Sequence, residues 1–374
     1  MEGENDVPKS GRLLSLDALR GFDMFWITGG QKIIYALATL TGWPVFKWIH
    51  LQMHHVDWEG FAFYDLIFPL FLFLAGVSMP FSFGKRLERG DSKASIYRHA
   101  FKRMLLLVIL GMLYNRILNL DAEHLRFASV LGRIGIAWFF AVVIFLNANL
   151  RWQIVWFWGL LIFYYLIMQF VPVPGFGAGN YTLEGSLAGY IDRLFLPGKL
   201  HLEVLEPEGI LSTIPAISTA LMGVFAGITL RSEIGTLSKL KKGLILILSG
   251  IVFLVFGKTW GSFFPIIKNI WTSSFTLYAG GWSLLFLGIF YLIIDVWGFK
   301  KWSYFFIVIG LNSITIYLVQ YKIIDFNSTR DFFFGGIVQL VPESIAPLIG
   351  AIGYVACVWT FLYFLYRYKI FLKV

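Results

Sequence analysis

Long apolar stretches separated by short polar segments run through almost all of the 374 residues. Each stretch is close to the roughly 18–20 residues that a helix needs to cross a bilayer. The apolar positions are continuous rather than alternating, which favours helices over a transmembrane β-barrel. The pattern predicts an all-α, polytopic transmembrane helix bundle of about ten spans, over residues 15–39, 61–83, 100–119, 130–149, 152–173, 209–230, 243–257, 271–296, 303–322 and 346–366.

Basic residues are distributed unevenly between the two sets of loops that these spans define. One set carries 19 of them: Lys9, Arg12, Lys85, Arg86, Arg89, Lys93, Arg98, Lys102, Arg103, Arg151, Arg231, Lys239, Lys241, Lys242, Lys300, Lys301, Arg367, Lys369 and Lys373. The opposite set carries 7: Lys47, Arg126, Arg193, Lys199, Lys258, Lys268 and Arg330. By the positive-inside rule, both termini are predicted to be cytoplasmic.

Composition supports a membrane protein. Hydrophobic residues make up 58% of the chain and charged residues only 14%, whereas about a quarter of a soluble domain is charged. The net charge of +9 reflects topology, so the bilayer is the predicted partner and nucleic acid is not. We find no internal repeat or low-complexity tract, and we expect one domain over residues 1–374.

Polar side chains recur near the predicted non-cytoplasmic ends of the spans. They come from separate parts of the chain: His55, Asp65, Arg133, Glu208, Lys268 and Asn269. Long side chains can reach the membrane surface from inside a span, but Asp65 is short. Because ionisable groups within a bilayer are costly and mark functional sites, we expect a pocket lined by opposite charges.

A second polar group lies in the first span, where Asp17, Arg20 and Asp23 are three residues apart. This spacing allows Arg20 to pair with either neighbour on a helix. A structural ion pair is the simpler interpretation, and a functional role is the alternative.

Histidines cluster before the second span, as His50, His54 and His55, followed by Asp57. His50 and His54 could share a helical face, as zinc ligands do. The chain has no Glu at the position that a metallohydrolase would use and no evident fourth ligand, so no metal is predicted. The remaining alternatives are a surface histidine without a role and a catalytic base or nucleophile.

The region around His55 resembles the signature of the heparan-α-glucosaminide N-acetyltransferase family. His55–Gly60 resembles its His-x-x-Trp-x-Gly motif, and Asp65–Pro69 resembles its Asp-Leu-x-Phe-Pro motif. Further segments resemble other parts of the family in the same order: Arg12–Gly21, Val130–Gly135, Glu208–Ile214, Lys268–Ser274, Gly310–Ile314 and Tyr368–Phe371.

This resemblance implies a transmembrane enzyme that moves acetyl from acetyl-CoA, a co-substrate, to an amino-sugar acceptor at the non-cytoplasmic face. It implies that His55, which precedes Trp58 by three residues, is the active-site histidine, as acetyl carrier or as base. Gln31 stands where an ungapped match puts an Asn of the family. The bacterial inner membrane is the expected location, and the resemblance suggests a homodimer.

The remaining roles follow from the motifs and the charges together. Asp65 or Asp57 would orient the imidazole, and Gln31 would donate to an oxyanion. We assign cofactor binding to Arg133, Lys268 and Asn269, the cations serving the CoA phosphates, and substrate binding to Trp58, Glu208 and Asn312. A transporter of a sugar or small polar solute and a polysaccharide O-acyltransferase are the alternative functions.

Overall fold

The computed structural model describes residues 13–115, 125–232 and 238–372, and helices dominate all three ranges. Their order is α1 Leu14–Phe25, a π-helical turn Trp26–Gly30, α2 Gln31–Thr41, α3 Pro44–Gln52, α4 Phe63–Glu88, α5 Lys93–Tyr114, α6 Val130–Asn147, α7 Leu150–Phe170, α8 Leu187–Phe195, α9 Thr213–Arg231, α10 Lys239–Trp260, α11 Ser273–Tyr291 with a π-helical turn Leu292–Val296, α12 Ser303–Leu311, α13 Ser313–Lys322, α14 Phe326–Leu340 and α15 Ala346–Arg367. Only isolated β-bridges occur in the described ranges. The predicted all-α class is confirmed.

Seven helices in the described residues are long and apolar enough to cross a membrane: α4, α6, α7, α9, α10, α11 and α15. Helices α12 and α13 form a pair bent by 70° that would make an eighth span. The seven match seven of the predicted spans, and the bent pair matches 303–322. A helical membrane protein is therefore confirmed, while the count of ten and the cytoplasmic termini stay predictions. Lys9, Arg12, Lys373 and residues 116–119 lie outside the described ranges.

The predicted span 15–39 is interrupted by the π-helical turn. Within it, Gly29 has φ +122°, a conformation that residues with a side chain rarely adopt. The turn leaves α1 and α2 as separate helices, so Gln31 begins α2 rather than continuing a straight span. Thr28 and Gly29 both have non-helical dihedral angles, so the chain is kinked here.

Helix α1 packs very closely on α12 through two glycines. A Cβ on Gly21 would lie 1.7 Å from the carbonyl oxygen of Phe306, and one on Gly310 would lie 2.1 Å from that of Asp17. Small residues allow this approach in membranes, where van der Waals packing between helices supplies most of the association energy. The contact fixes the position of α1, which carries Asp23, against α12.

Candidate active site

Two loops meet at the end of the bundle where α4 begins. The loop between α3 and α4 is joined to the loop before α11 by a hydrogen bond from the Gly60 N–H to the Ile266 carbonyl, at 2.8 Å. A β-bridge between Glu59 and Ile267 extends this contact. The pairing brings His55 beside Lys268, although the two are 213 positions apart in the chain.

Asp65 is held in the first turn of α4 with its side chain 1% exposed. Its Oδ2 accepts the N–H of Ala62 at 3.0 Å and that of Val56 at 3.4 Å. The first bond satisfies the amide group just before the helix, as capping carboxylates do, and the second ties the loop of His55 to the same oxygen. Its Oδ1 lies 2.7 Å from Nδ1 of His55. The capping role therefore fixes the carboxylate that orients the histidine.

Lys268 completes the cluster. Its Nζ lies 3.3 Å from Oδ1 of Asp65, 2.8 Å from Nδ1 of His55 and 3.1 Å from Nε2. Burial lowers the pKa of Lys268, although the Asp65 carboxylate acts in the opposite direction. An ammonium here can donate to Asp65 and can also face a developing negative charge near the imidazole.

The imidazole is anchored on one side and accessible on the other. When Nδ1 carries the proton and donates to Asp65, Nε2 keeps a lone pair that can take a proton or attack a carbonyl carbon. The His55 side chain is 50% exposed, and its ring centre lies 4.8 Å from that of Tyr64. This arrangement has the geometry of a general base or nucleophile.

His55 lies on a cavity of about 570 Å³. The polar lining consists of Asp23, His55, Asp57, Tyr64, Arg126, His201, Glu208, Lys268, Asn269, Ser313 and Tyr317. The apolar lining includes Met24, Ile27, Phe68, Phe71 and Ile134. A cavity that is mostly apolar with a few convergent polar groups is typical of a small-molecule site.

A second charged group borders the same cavity. Arg126 forms ion pairs with Glu206 and Glu208, and the two carboxylates together raise its pKa against the effect of burial. Burial raises the pKa of Glu208, because desolvation disfavours its charged form. Burial lowers the pKa of His201. Sequence reasoning predicted Glu208 here but missed its partner, Arg126, which was counted only as a loop charge.

Arg133 lies in a different place from the one expected. It lines a neighbouring cavity of about 460 Å³ that shares Glu208 as a wall, and it does not line the cavity of His55. Its Nη2 donates to Oγ of Ser212 and to the Gly209 carbonyl, and the guanidinium lies 5.0 Å from the ring centre of Trp271. The expected single pocket is thus two adjoining cavities.

The remaining predicted residues divide between the cavity and the surrounding structure. Asn269 lines the cavity. Trp58 donates its indole N–H to the Tyr181 carbonyl at 2.9 Å, which secures the loop of His55. Gln31 and Asn312 are not among the residues lining either cavity. Asn312 is buried at the break between α12 and α13, and its amide atoms have no hydrogen-bond partner in the described residues.

His50 and His54 are separate from the cavity. Their Nε2 atoms lie 3.2 Å apart, and the ring of Tyr35 stacks on His54 with centres 5.1 Å apart. Within residues 13–115, 125–232 and 238–372, no group of three or more His, Cys, Asp or Glu side chains could hold a metal ion. The structure thus places His54 away from the cavity that His55 lines, in accord with the motif spacing that selected His55.

Comparison with known proteins gives two relatives of the same kind. The chain is 29% identical to human heparan-alpha-glucosaminide N-acetyltransferase over 439 aligned positions, covering 97% of this chain and 60% of the human protein. It is 27% identical to the mouse protein of the same name, over 86% of this chain and 56% of that protein. These similarities confirm the resemblance predicted from the motifs. No family model matches the chain.

The chain spans about 60% of the length of its human relative. The similarity covers nearly all of this chain, so it includes the segments that carry His55, Asp65 and Lys268.

Proposed function

We propose that this chain is an integral membrane acetyltransferase that transfers acetyl from acetyl-CoA to the amine of an amino sugar. The observation that carries the proposal is the His55–Asp65–Lys268 cluster at the mouth of a mostly apolar cavity. Two relatives named as N-acetyltransferases of a glucosaminide support this chemistry. We place it in one domain, in the inner membrane of a bacterium, with acceptor binding at the non-cytoplasmic face and a homodimer as the expected assembly.

One route uses His55 as an acetyl carrier. Nε2 attacks the thioester carbonyl carbon, the C–S bond breaks, and the CoA thiolate leaves and takes up a proton. The neutral amine then attacks the acetyl carbon, the bond from the carbon to the imidazole breaks, and the amine gives up a proton. Asp65 stabilises the positive imidazole in both steps.

The other route is direct. The amine attacks the thioester carbonyl carbon, Nε2 of His55 takes the amine proton, and the CoA thiolate leaves and is protonated. In both routes the carbonyl oxygen becomes negative, and the Lys268 ammonium, 3.1 Å from Nε2, is placed to stabilise it. We therefore assign Lys268 to the reacting centre rather than to the CoA phosphates, which are separated from the thioester by the pantetheine arm.

Binding roles follow from the cavity lining. Glu208 and Asn269 line the cavity beside His55, and we propose that they contact the acceptor sugar and the acyl donor, respectively. Trp58 supports the loop rather than the substrate. We keep Gln31 and Asn312 as supporting polar residues outside the cavity lining, and we propose no metal.

The test is acetyl transfer by purified protein in lipid vesicles. Acetyl-CoA and glucosamine should give free thiol and N-acetylglucosamine in equal amounts, and His55→Ala should abolish both. Replacing glucosamine by N-acetylglucosamine leaves only hydroxyl acceptors, so continued thiol release with a new ester would favour the O-acyltransferase. Uptake of glucosamine without thiol release would favour the transporter.

The two routes differ in one observable species. Radiolabelled acetyl-CoA without acceptor should leave hydroxylamine-sensitive label on the wild-type protein if His55 carries the acetyl group, and none on His55→Ala. A protein that transfers acetyl but never retains label uses the direct route.

A further inference from the structure

Asp23 is a buried carboxylate on the central cavity that the proposed chemistry does not use. It lines the same cavity as His55 and is 1% exposed. Its Oδ2 has no hydrogen-bond partner in the described residues. Buried polar atoms nearly always have a partner, and an unpaired carboxylate in an apolar setting is costly. Such a group calls for a ligand or a structural explanation.

The structural ion pair expected in the first span does not involve Asp23. Arg20 lies 3.7 Å from the carboxylate of Asp17 and donates to Oγ of Ser78 at 3.3 Å. No ion pair of Asp23 occurs in the ranges that the structure describes. The ion pair predicted within the first span is therefore Arg20 with Asp17, and Asp23 lies outside it.

The contacts of α1 with α4 show where Asp23 lies relative to the His55 cluster. The rings of Phe22 and Trp26, on either side of Asp23, lie 6.2 Å and 5.7 Å from the ring of Phe63, the first residue of α4. No hydrogen bond or ion pair of His55, Asp65 or Lys268 involves Asp23 in the described residues. The two carboxylates therefore lie on different helices, and Asp23 reaches the cluster only through the cavity that it shares with His55.

Apolar side chains make up much of the lining of this cavity, among them Met24, Ile27, Phe71 and Ile134. A ligand that fills the cavity therefore has a reacting group at His55, a slender middle that tolerates apolar walls, and an N–H or O–H donor at Asp23. The pantetheine arm of a CoA thioester has this construction, since its amide and hydroxyl groups are separated by short aliphatic segments.

We propose that Asp23 is a specificity-determining residue for the acyl donor: its carboxylate accepts a hydrogen bond from an amide N–H or the hydroxyl of the pantetheine arm. This inference rests on the proposed function. The proposed chemistry gives the acceptor amine to His55 and Glu208, so it does not need Asp23. No group is transferred at Asp23, which only selects thioesters whose arm carries a donor at the right distance.

Binding of S-acetylpantetheine, which has the arm but no phosphates, tests the proposal. Equilibrium dialysis of the purified wild-type protein, Asp23→Asn and Asp17→Asn should show a loss of about tenfold or more for Asp23→Asn, the scale for a hydrogen bond to a charged group. Asp17→Asn is the matched control, being buried on the same helix but absent from the cavity lining. Unchanged affinity in a folded Asp23→Asn overturns the proposal.

A ligand-side test uses only the wild-type protein. S-acetylpantetheine analogues bearing an N-methyl group on one amide or the other, or lacking the hydroxyl, should include one that binds about tenfold more weakly. Equal binding of all of them overturns the proposal, even if the Asp23 variant does not fold. These measurements need no turnover. A protein that binds the arm through Asp23 but transfers no acetyl would therefore contradict the proposed function and leave this inference intact.

A third test compares turnover of a thioester that has the pantetheine arm with turnover of one that lacks it. With S-ethyl thioacetate, a thioester without the arm, Asp23→Asn should match the wild type, whereas with S-acetylpantetheine its KM should rise and its kcat should change little. A general structural defect would lower both reactions equally and would overturn the assignment.

Discussion

Nδ1 of His55 lies 2.7 Å from Oδ1 of Asp65, a residue ten positions later whose other oxygen caps the start of α4. One carboxylate thus fixes the beginning of a membrane helix and the orientation of the histidine. The stability of α4 and the position of the imidazole are consequently linked. Any change that loosens the first turn of α4 should also misplace the proposed base.

His55→Ala should reduce acetyl transfer by at least about 10², the scale for loss of a general base. His54→Ala should keep most activity, because His54 contacts His50 and Tyr35 rather than the cavity. Initial rates with acetyl-CoA and glucosamine check both variants. An active His55→Ala together with an inactive His54→Ala would contradict the site.

Asp65→Asn should lower kcat by a factor of up to about 10². The reason is that a neutral amide no longer stabilises the positive imidazole as a carboxylate does. Asp57→Asn is the control, since Asp57 lines the cavity while the bond to His55 is made by Asp65. Comparable losses in the two variants would mean that Asp65 is not the orienting residue. Helix content by circular dichroism should be similar in both.

The sequence predicted the helices that are longest and most apolar, because a lipid-spanning helix must be apolar over its whole length. It predicted a straight span over 15–39, because hydropathy does not register the π-helical turn at Gly29. It also missed α14, whose 15 residues include polar side chains such as Asn327 and Asp331. A short or broken helix leaves little trace in an averaged pattern.

For the site, the polar positions near the span ends predicted one pocket for His55, Asp65 and Lys268. The sequence could not give their direct contacts, because His55 and Lys268 meet where the Gly60–Ile266 hydrogen bond joins two distant loops. Arg133 was expected in the same pocket because the sequence indicates only how deep a residue lies along its span. The direction in which a side chain points around the bundle separates the two cavities, and this depends on tertiary packing.

Asp192 should make stability depend on pH. Burial raises its pKa to about 6, so the folded state holds its proton over a range in which the unfolded state has lost it. This contribution is fully present below about pH 4 and is lost as the pH rises through about 6.

Asp192→Asn should keep the bond from the Ile210 N–H and remove this dependence of stability on pH. Thermal unfolding of both proteins between pH 4.5 and 7, roughly that window, should show the variant gaining relative stability as pH rises; a constant difference would contradict the prediction.

Topology can be tested across α9 alone. The segment 176–200 and the end of α9 at Arg231 flank one candidate span, and basic residues favour the Arg231 side as cytoplasmic. A periplasm-active reporter fused within 176–200 should be active and one fused after Arg231 should be inactive. The same activity at both positions would mean that α9 does not cross the membrane.

Gly21→Ala should destabilise the protein, because the added Cβ would lie 1.7 Å from the Phe306 carbonyl oxygen and backbone cannot move aside as a side chain can. Overpacking of this kind costs about 1–3 kcal/mol. Gly159→Ala is the matched control: Gly159 is also within a helix, α7, but its Cβ would meet nothing within 4 Å. In open surroundings the same change should be neutral or stabilise by up to about 1 kcal/mol. Thermal unfolding in detergent measures both variants. The difference between their free energies of unfolding is the informative quantity, because the effect of helix propensity cancels.

Gly21→Ala should in addition weaken S-acetylpantetheine binding, since α1 must shift and carries Asp23 with it. A Gly21→Ala protein as stable as Gly159→Ala would mean that α1 and α12 are farther apart than described, and the position assigned to Asp23 would no longer be supported.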